Sequence, residues 1–126
     1  MEARAEKITM DELTSALAQH NNGTNNYYKH WMGIAYTDGV KEMAELAGAH
    51  WLIDAVASYR RKEPFQVWTL DVMLAENNRH HKCVLTMKED SDCPVLVTQK
   101  IEYTDFPIGT ITLWLIDGVL ILPSEY

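Results

Sequence analysis

The feature that most constrains this chain is a change of hydrophobic period at Pro64. Before it, apolar residues recur at helical spacing. After it they alternate, as in strands with one buried face. Such a chain places helices first and a sheet second.

The first helix has a clear start. Thr9 stands at the N-cap, Glu12 completes a capping box, and Ile8 with Leu13 forms the hydrophobic staple. Leu13, Ala16, Leu17 and His20 follow on one stripe. Asn21 to Asn26, with Gly23 among them, read as a loop. Tyr27 to Tyr36 is dense in aromatics and compatible with either a short strand or an irregular segment. Thr37 or Asp38 caps a helix over Gly39–Ala47, which Gly48 ends or bends. Another helix runs from about His50 to Arg61, apolar on two faces, and Glu63-Pro64 stops it.

Beyond Pro64, Gln66, Trp68, Leu70, Val72 and Leu74 share one face of a strand over 65–74. Strands are also predicted over 82–88 and 95–103, separated by turns at 76–79 and 89–94. In the strand over 95–103, Val95, Val97, Ile101 and Tyr103 share a face. After a loop at 104–109, Ile111–Ile116 and Val119–Leu122 flank Asp117-Gly118, a pair that favours the primed turn of a hairpin. The short connections favour a meander. The expected fold is α+β, with two or three N-terminal helices packed on one face of a four- or five-stranded antiparallel meander sheet. Residues 1–8 read as a flexible leader and residues 9–126 as a single α+β domain.

Composition narrows the function classes. The 126 residues, 47% hydrophobic and 23% charged, suit one buried core. Asp and Glu outnumber Lys and Arg, 18 to 11, for a net charge of −7. The basic cluster Arg60-Arg61-Lys62 is small, so direct nucleic-acid binding is disfavoured. An acidic surface suits solubility or a basic protein partner. No apolar run approaches the roughly 20 residues of a membrane span, and the first residues lack a signal-peptide pattern, so a cytoplasmic location is expected. In that reducing compartment Cys83 and Cys93 are two free thiols, with a cross-hairpin disulfide as the alternative.

The string YYKHWMGIAYTDGVKEMAELAGAHWLIDAVASY, then FQVWTLDV, IEYTDFP and the terminal ILPSEY, resembles a family of small uncharacterised proteins from bacteria, their plasmids and their phages. The YTDGV, YTDFP and LPSEY patterns carry the likeness, which spans nearly all the chain after residue 8. The Asn-rich loop at 21–26 and His80-His81 depart from it. The resemblance implies no activity and no catalytic residues.

One set of residues has the makings of a ligand-binding surface: Tyr28, His30, Tyr36, Asp38, His50, Trp51, Asp54, Tyr103 and Asp105. His titrates near neutrality and a neighbouring carboxylate can fix its tautomer; Tyr and Trp can stack a planar ring. His50 and Asp54 share a helix face. The competing interpretation makes Asp38 and Asp105 cap and turn residues, Asp54 a tie for the loop ahead, and the aromatics core. Tyr36-Thr37-Asp38 recurs as Tyr103-Thr104-Asp105, and each copy ends a β-type run, which fits that interpretation. His80-His81-Lys82-Cys83 with Cys93 lacks the paired ligands of a zinc site, so no metal is expected. No phosphate loop, nucleophile elbow or His-Glu-x-x-His occurs, and no cofactor is implied. At the terminus Pro123 blunts a strand edge, and Tyr126 is either packed, an oligomer contact or frayed.

These readings favour a non-catalytic binding or sequestering accessory protein, of bacterial or mobile-element origin, acting on a protein partner or small ligand. The alternatives are a small enzyme with His30 as acid–base beside Asp38, Asp54 or Asp105, and a structural homo-oligomeric module.

Overall fold

A computed structural model describes residues 8–76 and 80–126. The expected leader, apart from Ile8, and positions 77–79 of the expected turn lie outside those residues.

Helix α1 (Met10–Leu17) begins on the capping box: Glu12 N donates to Thr9 Oγ1 at 3.1 Å and Thr9 N donates to Glu12 Oε1 at 2.9 Å. Ile8 packs against the core cluster that holds Leu13. The aromatic segment resolves into a hairpin of β1 (Tyr27–Lys29) and β2 (Ala35–Thr37). Thr37 caps α2 (Asp38–Ala47), and Gly48 ends it at φ 62°, a left-handed conformation that glycine adopts without strain. Helix α3 (His50–Ser58) stops three residues before the expected Arg61. There Arg60 turns to φ 49°, outside the helical region.

The sheet strands are β3 (Phe65–Leu74), β4 (His81–Lys88), β5 (Val95–Thr104), β6 (Gly109–Ile116) and β7 (Val119–Ile121). Asp117 and Gly118, at φ 50° and 84°, form the expected primed turn between β6 and β7. Pro123–Glu125 then make one 3-10 turn.

Among the described residues the α+β class holds, with three helices, but the sheet differs from the expected four- or five-stranded antiparallel meander. Its described strands number seven, in the order β1-β2-β7-β6-β3-β4-β5, and it is mixed. The extra strands are β1 and β2, and β2 runs parallel to β7 through Ala35–Val119 and Tyr36–Leu120. The meander fails at β6, which pairs with β3 rather than β5. The order β6-β3-β4-β5 is that of a Greek key. Its cause is the segment after β5. Phe106 is fully buried, its N–H donates to Thr104 Oγ1 at 3.1 Å, and its carbonyl accepts from His81 Nδ1 at 2.7 Å. This draws the chain across the ends of β4 and β3. Five residue steps reach about 17 Å, enough for the roughly 14 Å between β5 and β6.

One face of the sheet carries the core. Trp68, Leu70, Val72, Cys83, Leu85, Met87, Leu113, Leu115 and Leu120 form a single cluster with residues of all three helices. Gln66 is buried with them and accepts from Trp68 Nε1 at 2.8 Å. Leu74, expected on that face, is exposed at the strand end. Strand β5 shifts register against β4 near each end, between its partners His81 and Cys83 and between Met87 and Lys88. Those shifts carry Val95 and Tyr103 out of the core face on which the alternation placed them, and both are exposed.

Among the described residues, no helix is long and apolar enough to cross a membrane.

Candidate functional site

The nine singled-out residues do not form one surface. β2 and β5 stand five strand positions apart, about 24 Å at the usual spacing, so the two Tyr-Thr-Asp segments lie far from each other. The set divides into three groups, with His50 apart and exposed at the start of α3.

The first group surrounds Asp38. Its Oδ1 accepts from Tyr28 OH at 2.8 Å and Asn26 Nδ2 at 3.3 Å. Its Oδ2 accepts from Thr24 Oγ1 at 3.0 Å and from the Asn25 and Asn26 amides at 3.1 Å. The Tyr28 hydroxyl leads the donors that hold the carboxyl down at about 2, and the same hydrogen bond raises the phenol of Tyr28. Tyr36 stacks on Tyr28 at 5.5 Å, and Lys41 Nζ sits 5.3 Å from the Tyr28 ring centre. A polar cleft of about 590 Å³ adjoins, lined also by His20 and Glu42, which pair with each other. The Asn-rich loop therefore exists to be tied down by Asp38, whose acceptor positions are taken.

The second group is His30 with Asp54. His30 Nε2 lies 2.6 Å from Asp54 Oδ1, and His30 Nδ1 accepts the Met32 N–H at 3.1 Å. A backbone donor at Nδ1 assigns the ring proton to Nε2, so both nitrogens are engaged. The imidazole is 8% exposed and lines none of the clefts described here. Its role is to brace the hairpin tip against α3, which holds Trp31, 79% exposed, stacked over it at 5.9 Å.

The third group forms a cleft. Trp51 from α3 and Tyr103 and Asp105 from the end of β5 line an opening of about 500 Å³, together with Gly48, Ala55, Gln99, Ile101 and Thr104. Beyond the β5 register shift Tyr103 is exposed and stacks on His80 at 5.0 Å. Gln99 is fixed by the Tyr59 hydroxyl at 2.7 Å. An apolar crevice of about 380 Å³ lies elsewhere, between α1, β6 and Pro123.

Thr104 and Thr37 do the same work at their two sites. Each is buried and accepts a backbone N–H just downstream, from Phe106 and Val40 respectively. The repeated tripeptide is thus parallel capping chemistry.

The other proposed cluster disperses. Cys83 is buried on β4, its thiol pushed up to about 11 by desolvation, while Cys93 lies in the turn beyond the strand's far end; both are free. Among the described residues no three His, Cys, Asp or Glu side chains gather as a metal site.

Sequence reasoning missed a buried, fully engaged carboxylate near the end of the sequence. Glu125 is buried and accepts from Thr37 Oγ1 at 2.6 Å, Leu122 N at 2.9 Å and Gly39 N at 3.1 Å. It caps α2 from the other end of the sequence. A Cβ on Gly39 would fall 2.6 Å from Leu122 Cδ1 and 2.8 Å from the Glu125 carboxyl, so any side chain there must displace one or both. The YTDGV and LPSEY segments are therefore two halves of one contact. Over residues 11–126 the sequence matches a family described as a family of unknown function (DUF6876). The chain belongs to that family. Among curated proteins and among solved structures, no match is found. Gln99 was also passed over; a polar residue in the apolar register between Val97 and Ile101 was the available signal.

Proposed function

We propose that this is a non-catalytic binding protein whose ligand seat is the cleft between α3 and β5. The observation that carries this reading is the convergence of Trp51, Tyr103 and Asp105 on that opening. Aromatic faces, a carboxamide and a carboxylate around a concave space are the usual means of holding a small polar ligand or a partner's side chain. The engaged nitrogens of His30 support binding over acid–base chemistry. Two free thiols and an acidic surface suit the cytoplasm of a bacterium, and an accessory role in the bacterium or its mobile elements follows the YTDGV, YTDFP and LPSEY patterns.

The test is titration of isotope-labelled protein with a panel of nucleotides, sugars, amines, amino acids and short peptides. At least one class is expected to shift the Trp51 indole resonance and to lose affinity in Tyr103→Leu. A panel that leaves Trp51 unmoved throughout overturns the proposal.

A further inference from the structure

We infer that the outer face of the sheet, turned away from the helices, is the surface through which two copies of this chain pair. The inference goes beyond the binding reading and is independent of the α3–β5 cleft.

Helices α1, α2 and α3 all bury apolar residues in the cluster on the inner face. A sheet with one solvated face normally alternates apolar residues inward with polar residues outward. Strands β3 and β6 break that pattern. Trp68 and Leu113 point into the core, so alternation turns Val67 and Trp114 outward, where they stand opposite each other. Phe65 and Ile116 form the next outward pair along the same two strands. Phe65 meets the Trp114 ring edge to face at 5.4 Å, and Tyr126, 82% exposed, meets that ring at 5.7 Å. These five side chains gather apolar and aromatic surface on the side opposite the helical layer. Buried aromatic clusters of this kind are typical of the centre of a protein interface.

A level platform adjoins the cluster. Thr112, Thr69, Thr86 and Thr98 stand in one row across β6, β3, β4 and β5. Short β-branched side chains let a second sheet approach to the usual separation of about 10 Å. The five strands from β7 to β5 span about 24 Å, and eight residues run about 26 Å, a projected area of roughly 600 Å². Side-chain relief brings the area within reach of the roughly 800 Å² that each partner buries in a stable pair.

Charge and symmetry select a second copy as the occupant. The aromatic cluster and the threonine row hold no formal charge, so burying them against their own counterparts strands no ion. Asp71, also outward, accepts from Thr110 Oγ1 at 2.7 Å. Lys82, Lys88 and Lys100 share its face and outnumber it. In a chain of net charge −7, this is the face on which a second acidic copy meets the least repulsion, and on which a basic partner finds the least attraction. A two-fold axis along the strands lays cluster on cluster and threonine row on threonine row, as a closed isologous pair requires.

The test is sedimentation equilibrium of the full chain from micromolar to near-millimolar concentration. In parallel, a soluble gadolinium chelate probes access to the Trp114 indole by relaxation of its resonance. A reversible dimer is expected, with Trp114 losing access to the chelate as the dimer forms. Thr86→Arg plants a charge on the platform, and Tyr126→Ser removes an exposed ring without touching the core. Each is expected to raise the dimer dissociation constant about tenfold or more. Should Thr86→Arg fail to fold by circular dichroism, Tyr126→Ser and the chelate measurement on the unaltered chain decide. A monomer at every concentration overturns the inference and leaves the face to a different partner. A dimer in which Trp114 stays open to the chelate, or which the folded variants leave unchanged, overturns it by placing the contact elsewhere.

Discussion

Glu125 accepts three hydrogen bonds inside the protein, two of them from backbone amides that have no water to turn to. Removing the carboxylate in Glu125→Ala leaves buried donors unpaired, an expected loss of about 2–4 kcal/mol, with Glu125→Gln losing less because one acceptor remains. Urea unfolding of the two variants, read as midpoint at constant slope, checks the order. Asp38 makes a different demand, on pH. Its folded carboxyl is held to about 2, first by Tyr28 and then by Thr24, Asn26 and the Asn25 amide, from an ordinary 3.8. A depressed carboxyl stabilises the fold fully above its unfolded value, and that contribution drains away as pH falls through the folded one. Thermal unfolding between pH 5 and about 2 is therefore expected to fall more steeply in the native protein than in Asp38→Asn. Neither role was fully legible in the sequence. Asp38 was recognised as a cap-type residue because Thr and Asp end β runs, but its true clients are in the Asn-rich loop. Of Glu125's partners only Leu122 N is local, and Thr37 and Gly39 come from the far end of the sequence.

Elements whose signals were local came out as read. The Thr9 capping box, the Thr37 cap, the Gly48 stop and the Asp117-Gly118 turn each depend on residues within four positions of one another. Failures occurred where a distant contact decided the outcome. The aromatic run over 27–36 was ambiguous by propensity; its two ends are β, paired with each other, and β7 lies alongside the second. Strand β6 left the meander because burial of Phe106 outweighs the preference for the nearest neighbour. Helix α3 ended early through Arg60, which adopts φ 49° where glycine is the usual occupant. Replacing it relieves the contact between Cβ and carbonyl at some cost in unfolded-state entropy, so Arg60→Gly is expected to gain up to about 1 kcal/mol. Chemical denaturation checks this, and a clear loss of stability would contradict it. At the sheet's edge, the register shifts of β5 at both ends, with Lys100 between them, blunt a strand that otherwise invites pairing with another chain.

For the molecule as a whole, the helices and the inner face of the sheet share one cluster, and Cys83 sits within it. Its thiol, 1% exposed and raised to about 11, reports on opening of that core, whereas Cys93 is partly exposed in a turn. A thiol reagent at pH 8 is expected to label one cysteine quickly and the second only through unfolding, at a rate that climbs with urea. Fast labelling of both would mean that β4 opens locally. The candidate site tells the same story of scale. Its residue types were found in the sequence, but the partition into three groups followed from a strand order that no local pattern encodes. The pairing of Thr37 with Glu125 also has a meaning in time. The two are 88 positions apart. A ribosome adding about 5–20 residues per second delivers the second roughly 4–18 s after the first. Throughout that wait β2 has no β7 beside it and α2 lacks its distant carboxylate. The nascent chain thus holds an unfinished sheet, and α2 gains its capping carboxylate from a residue made 88 positions after Thr37.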